Sequence, residues 1–290
     1  MAQHPAHQHT HQHAHQHAHE HGHGQGQPDD QHMADMLDLD ALVAGPLLDE
    51  LTGWAAEHAP ATVRDVVDLG AGTGTGTLAL ARRFPAARIT SVDAAPAMLD
   101  RLRSATVALG DRVVPLEADL DQGWPVDLAA PDLVWSALAL HHVADPVRLL
   151  DEIRDRLAPD GLLVLVEMDA PPTYLPHDVG HGRPGLEDRL HDAVDTGGMD
   201  PHPDWTDTLE AHGYDVVGCE SFAVTTADPS TLARLAHLFL THVRSRTADD
   251  LAADDRATLD LLLGDGPDSV LHRRDLELRA SRTVWAARRA

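Results

Sequence analysis

The chain has 290 residues (31.3 kDa), a hydrophobic fraction of 43% and a formal net charge of -25. That supports one substantial core with little room for a second, and the acidity repels a phosphate backbone, so no nucleic-acid partner is expected. One cysteine excludes a disulfide framework and a Cys-based metal site. With no leader pattern and no apolar run of membrane-spanning length, the expectation is a cytoplasmic protein with no membrane partner.

Residues 1–32 are a low-complexity segment of His, Gln, Ala and Gly holding half of the 22 histidines. It lacks apolar periodicity and reads as a disordered tail. Alternate residues of an extended chain share a side, so His9, His11, His13, His15, His17 and His19 could jointly chelate a divalent metal. A solvated repeat with incidental metal affinity is the equal alternative, and no metal is expected in a catalytic site.

Folded structure is expected from Met33, with helices over Met36–Val43 and Leu47–Leu51 broken at Gly45-Pro46. Short apolar strands follow at Val66–Leu69, Arg88–Val92, Arg112–Leu116, Asp132–Ala137 and Leu162–Val166, alternating with helical patterns. Asp145 and Pro146 mark the start of the helix before the fifth strand. Runs that are apolar throughout, joined by crossover helices, predict a parallel α/β sheet covered on both faces. Tyr214–Val224, in which Cys219 reads as a buried inert thiol, and Leu276–Ala286 add two further strands. Helical segments Ser230–Arg246 and Asp254–Leu263 lie between them as an insertion or cap. Residues 170–200 are rich in Pro, Gly, Asp and His, the composition of a functional loop.

The chemistry concentrates after the first strand. Val66-Val67-Asp68-Leu69 breaks into Gly70-Ala71-Gly72-Thr73-Gly74 before an Ala/Leu helix pattern resumes. A dinucleotide fingerprint requires Gly-x-Gly-x-x-Gly, and both registers fail, at Thr75 and at Thr77. What remains is Asp-x-Gly-x-Gly-x-Gly. An acid, Asp93, ends the second strand, where a carboxylate can accept from ribose hydroxyls or cap the next helix. The segment Leu116-Glu117-Ala118-Asp119-Leu120 follows the third strand, and Ser136-Ala137-Leu138-Ala139-Leu140-His141-His142-Val143 spans the end of the fourth strand and the loop after it.

In this order the segments resemble the class I S-adenosylmethionine (SAM)-dependent methyltransferases of small molecules. The resemblance covers roughly residues 63–170. It implies a Rossmann-like, doubly wound, seven-stranded and mostly parallel sheet with N-terminal helices and a helical insertion. The domain would span 33–290, with core 63–170 and lid or insertion segments 171–213 and 229–263. It further implies SAM as cofactor, held by Asp68, Gly70, Ala71, Gly72 and Gly74 at its methionine and ribose end, by Asp93 at the ribose, and by Ser136 in the segment beside the methyl donor. Asp119, Leu120, Ala94 and Met98 would meet the adenine. His141 or His142 would be a general base, or one of them would merely buttress its loop.

The expected activity is methyl transfer to O, N or C of a small-molecule acceptor. Tyr174, His177, Asp178, His181, Gly182 and Arg183 would close over that acceptor. Arg183 reads either as a partner for an acidic substrate group or as a surface residue near Glu187 and Asp188. The alternatives are a non-catalytic SAM-binding or metal-handling protein acting through its His-rich tail and, with the fingerprint absent, a less favoured NAD-dependent oxidoreductase. Acceptor and oligomeric state are not encoded in any motif.

Overall fold

Alternate residues of a strand face opposite sides of its sheet, so a run such as Leu162-Leu163-Val164-Leu165-Val166 can supply two cores at once. In the structure Leu162, Val164 and Val166 join one buried cluster while Leu163 and Leu165 join the other. This computed structural model describes residues 26–125, 128–194, 203–225, 228–247 and 250–290.

Helix α1 (Gly26–His58) leads into β1 (Asp65–Leu69), α2 (Thr75–Arg83), β2 (Arg88–Asp93), α3 (Pro96–Thr106) and β3 (Val113–Glu117). Then come β4 (Leu133–Ala137), α4 (Pro146–Arg156), β5 (Leu162–Met168), α5 (Leu186–Ala193) and α6 (Thr206–Ala211). β6 (Tyr214–Ala223), α7 (Pro229–Arg246), α8 (Ala253–Leu263) and β7 (Ser281–Arg289) complete the described elements. The strands lie in the order β3-β2-β1-β4-β5-β7-β6. β1 to β5 pair in parallel, β7 runs antiparallel to β5, and β6 runs antiparallel to β7. This is the α/β sheet that the pattern predicts, in the Rossmann-like, mostly parallel form that the resemblance implies.

One face carries α1, α2, α3 and α7, through residues such as Leu51, Leu80, Leu102 and Leu235. The other carries α4 and α6, through Leu149, Ile153 and Leu209. Strand order reverses between β1 and β4. Consecutive crossovers therefore leave toward opposite sides there, and a crevice opens at the carboxyl ends of those two strands.

Three features differ from the sequence reading. Helix α1 starts at Gly26, inside the segment expected to be disordered; the rest of that segment, His9 to His19 included, lies outside the described residues. Nor does α1 break at Gly45-Pro46. Leu39, Val43, Leu47, Leu51 and Ala55 recur every fourth residue and are all buried, and this packing holds the helix together across the proline. Pro46 deprives only the Leu42 carbonyl of its helical partner, and Leu42 is 70% exposed, so water reaches that turn. Finally, Cys219 lies on β6 as expected but is exposed rather than buried, because β6 is the edge strand and one of its faces stays uncovered.

No described helix is long and apolar enough to cross a membrane. Helix α4 begins as predicted: the Asp145 side chain accepts from the Arg148 N–H at 3.0 Å and Pro146 occupies the first turn. Asp145→Ala should therefore cost about 1 kcal/mol, read as a lower urea midpoint with an unchanged slope.

Candidate functional site

The turn from β1 into α2 forms the floor of the crevice. Gly70, Gly72 and Gly74 all have positive φ (69°, 53° and 93°), a region that side-chain-bearing residues rarely enter. At Gly70 the need is also steric: a Cβ would sit 2.2 Å from the Cβ of Ala139 in the loop after β4. The loops that follow β1 and β4 thus touch, backbone against methyl. The turn is tied sideways to β2, since the Ala71 N–H donates to the Val92 carbonyl (2.9 Å) and the Gly72 N–H to Asp93 Oδ2 (2.8 Å). The other Asp93 oxygen accepts from the Ala95 N–H at 2.9 Å. Asp93 therefore orders both the glycine turn and the entry to α3, while each oxygen keeps further acceptor capacity.

Asp68 lies beneath this turn and is buried. Its Oδ2 accepts from the Thr77 hydroxyl at 2.6 Å, and Thr77 in turn contacts the Ser91 hydroxyl at 2.9 Å. Burial pushes the Asp68 carboxyl up to about 7, opposed by the Thr77 hydrogen bond and reinforced by the nearby Asp93 charge. Among the described residues nothing is hydrogen-bonded to Oδ1. Trp135, opposite Asp68 in the β1–β4 register, is also buried, and its Nε1 has no partner among the described residues. A Cβ at Gly76 would stand 3.4 Å from Trp135 Nε1 and 3.6 Å from Asp68 Oδ2, so glycine keeps that space open.

A cavity of about 520 Å³ opens here, within the range of small-ligand sites. Asp68, Gly70, Ala71, Gly72, Asp93, Ala94, Met98, Asp119, Leu120 and His142 all line it. Asp119 does so while capping a short turn, its Oδ1 accepting from the Asp121 N–H at 2.9 Å. Two of the sequence candidates are elsewhere. Gly74 packs against α3, where a Cβ would meet Leu102 Cγ at 2.9 Å. Ser136 is one residue out of phase with Trp135; it is buried and shares the sheet face of Val134, which packs toward α4.

The two histidines also part. His141 is absent from the cavity wall; its Nδ1 lies 2.7 Å from Glu167 Oε2, and both side chains are buried. It buttresses the loop through a carboxylate on β5. The His142 ring packs at 4.1 Å on that of His141 and does line the cavity. Partial burial, with the adjacent His141 ring, holds the His142 imidazole below its ordinary value, so it is neutral near pH 7.

The residues expected to close over an acceptor are not at the cavity. No described residue of segments 171–213 or 229–263 lines it; α1 does, through Leu37, Asp40, Ala41 and Leu48. Helix α7 packs on α1 instead, and Arg183 is bound to Asp255 of α8 at 2.8 Å. Trp135, Leu138 and Arg282 also line the wall, though the sequence singles out none of them as a site residue. Leu138 is the one described non-glycine residue with positive φ (55°), its N–H held by the Val166 carbonyl. Backbone strain of this kind gathers where a loop must take one shape. Helical spacing of Leu37, Asp40 and Ala41 could have signalled the α1 face.

Residues 66–161 match the family model described as a methyltransferase domain. Those residues, about a third of the chain, carry its resemblance to the class I SAM-dependent methyltransferase family. It is 38% identical over 118 residues to the malonyl-[acyl-carrier protein] O-methyltransferase of Laribacter hongkongensis (strain HLHK9), covering 38% of each chain. It is 38% identical over 100 residues to the trans-aconitate 2-methyltransferase of Escherichia coli O1:K1 / APEC, covering 34% of this chain and 37% of that one. The matches thus span well under half of either relative's length. A protein of Bacillus halodurans C-125, provisionally named a methyltransferase, shares the fold with a TM-score of 0.52 at 17% identity, covering 82% of this chain and 97% of that one.

The residues present suit this family's cofactor. An unsatisfied indole N–H and a half-satisfied buried carboxylate face the space that Gly76 leaves free, and they are a donor and an acceptor for an amino acid. Among the described residues no group of three His, Cys, Asp or Glu is placed to hold a metal ion.

The Gly70–Ala139 contact can be tested directly. Gly70→Ala should destabilise by about 1–3 kcal/mol in urea unfolding, through overpacking and an unfavourable φ. Adding Ala139→Gly should recover only part of that loss, because it relieves the clash and not the backbone.

Proposed function

We propose that this chain binds SAM in the crevice at β1 and β4 and transfers its methyl group to O, N or C of a small molecule, with residues 33–290 acting as one catalytic unit. The observation that carries the reading is one cavity touched by Asp68 of β1, Asp93 of β2, Asp119 after β3 and His142 after β4. The relatives' names, which specify trans-aconitate and malonyl-[acyl-carrier protein], support an acceptor built on a small organic group.

The roles follow from each residue's position. Asp68, with Oδ1 unused, would accept from the methionine ammonium. Asp93 would accept from the ribose hydroxyls with the lone pairs left over from Gly72 and Ala95. Asp119 would accept from the adenine amino group, with Ala94, Met98 and Leu120 against the ring. SAM supplies a methyl carbon activated by a sulfonium leaving group. The protein's work is to align the acceptor, exclude water and, for a hydroxyl acceptor, remove its proton. His142, neutral and at the cavity wall, would take that proton on a ring nitrogen, and His141 with Glu167 would hold it in place.

Calorimetric titration of the full chain with SAM and, separately, with NAD tests the donor. Binding of SAM and not NAD is expected; the reverse would end this reading. Asp93→Ala should weaken SAM binding by about 1–3 kcal/mol, and a negligible change would reduce Asp93 to a loop-ordering residue.

Asp68 sets the pH dependence. Its carboxyl titrates at about 7 in the free protein and is ionised only above that value. SAM affinity should therefore rise between about pH 6 and pH 8, with proton release on binding seen as a buffer-dependent enthalpy. Asp68→Asn should flatten that profile.

For a hydroxyl acceptor, His142→Ala should lower kcat by about 10²-fold or more while leaving the SAM Kd nearly unchanged. An equal loss in both quantities would assign His142 to binding rather than proton transfer.

A further inference from the structure

Resting on the donor reading above, we propose that the acceptor carries a carboxylate and that Arg282 is the residue that binds it. The cavity wall carries Asp40, Asp68, Asp93, Asp119 and Asp121, and Arg282 is its one arginine among the described residues. A cationic group so placed in a chain of net charge -25 is a selective feature of the wall.

Arg282 is 6% exposed, and its side chain has one hydrogen bond among the described residues, from Nη2 to Asp40 Oδ2 of α1 at 2.7 Å. Its Nε has no partner among the described residues. A guanidinium has five N–H donors in a rigid fork shaped for two carboxylate oxygens, so a single contact to Asp40 leaves most of its capacity free. A buried charge is costly until its remaining donors are met, and a carboxylate meets them two at a time.

Position separates this role from donor binding. Asp68, Asp93 and Asp119 lie on β1, on β2 and after β3, to one side of β4. Arg282 rises from β7, opposite Met168 at the carboxyl end of β5. That is two strand spacings beyond β4, about 10 Å, on the other side. A molecule reaching from His142 toward Arg282 lies on the half of the crevice that the donor-side acids do not occupy. The competing role is a purely structural clamp between α1 and the sheet through Asp40, and the two roles differ in what the Asp40 partner does. As a clamp, Asp40 and Arg282 are equivalent. As a carboxylate site, Asp40 competes with the ligand.

The test titrates the full chain by calorimetry with succinate, glutarate, citrate and benzoate, each against its neutral amide. Every titration is run both on the free protein and with saturating S-adenosylhomocysteine. At least one acid should bind more tightly than its amide and weaken as salt is raised. Arg282→Lys, which keeps the charge and loses the fork, should weaken that acid by about tenfold or more and leave the S-adenosylhomocysteine Kd unchanged. Asp40→Asn should tighten the same acid.

Four outcomes overturn the proposal: no acid in the set binding better than its amide, Arg282→Lys leaving the acid's affinity unchanged, the two variants shifting it in the same direction, or Arg282→Lys lowering S-adenosylhomocysteine affinity. Failure of S-adenosylhomocysteine to bind the unmodified chain would instead sink the donor reading, while the comparison on free protein still judges Arg282.

Discussion

The close approach of the loops after β1 and β4 is the constraint on which the crevice depends. Gly70 lies where a Cβ would be 2.2 Å from the Ala139 methyl, so the two loops that flank the strand-order reversal meet backbone against methyl. The remaining geometry follows from that contact. It turns the Gly72 N–H toward Asp93, starts α2 over Asp68, and sends the chain after β4 through the strained Leu138 into the turn carrying both histidines. Interiors are close-packed, so a shift at this point would propagate to the walls rather than being absorbed locally.

The fold supports the crevice with polar groups that have few alternatives. Asp68 and Glu187 are both buried carboxyls, each pushed up to about 7 by burial. Glu187 has both oxygens engaged by the Tyr174 and Leu175 N–H groups, so it fastens a loop. Asp68 has one hydroxyl on one oxygen. That contrast distinguishes a carboxylate whose partners are complete from one that can still take a ligand. His141 and Glu167 are paired with each other away from the cavity, whereas the His142 ring packed on His141 lines it.

The parallel sheet and much of the cavity wall were legible in the sequence because local patterns encode them. Apolar runs such as Leu162–Val166 report strands buried on both faces, and the glycine register reports a turn that only glycine tolerates. What stayed hidden depends on contacts between distant segments. Arg282 meets Asp40 across 242 positions, and nothing near either residue announces the other. The continuity of α1 through Pro46 was invisible because tertiary burial of Leu39 to Ala55 overrides a local break signal. His141 and His142 are adjacent, so composition could not tell them apart; one short 3-10 turn sends one toward Glu167 and the other to the cavity. Ser136 was misplaced by strand parity alone.

The Asp68 environment also sets stability and binding against each other. Its folded-state value lies above the unfolded one of 3.8, so the protonated form is the one that burial favours. The stability it contributes is fully present below about pH 4 and is lost as pH rises through about 7. An ionised Asp68 is thus the state the empty fold disfavours and the one a cationic ligand group would need. A site arranged this way gives up folding stability at neutral pH for affinity, and a bound cation would return part of that stability by pairing with the charge. The neighbouring Asp93 strengthens both sides of the balance. Its charge raises Asp68 further in the empty crevice, and it adds to the attraction once a cation is present.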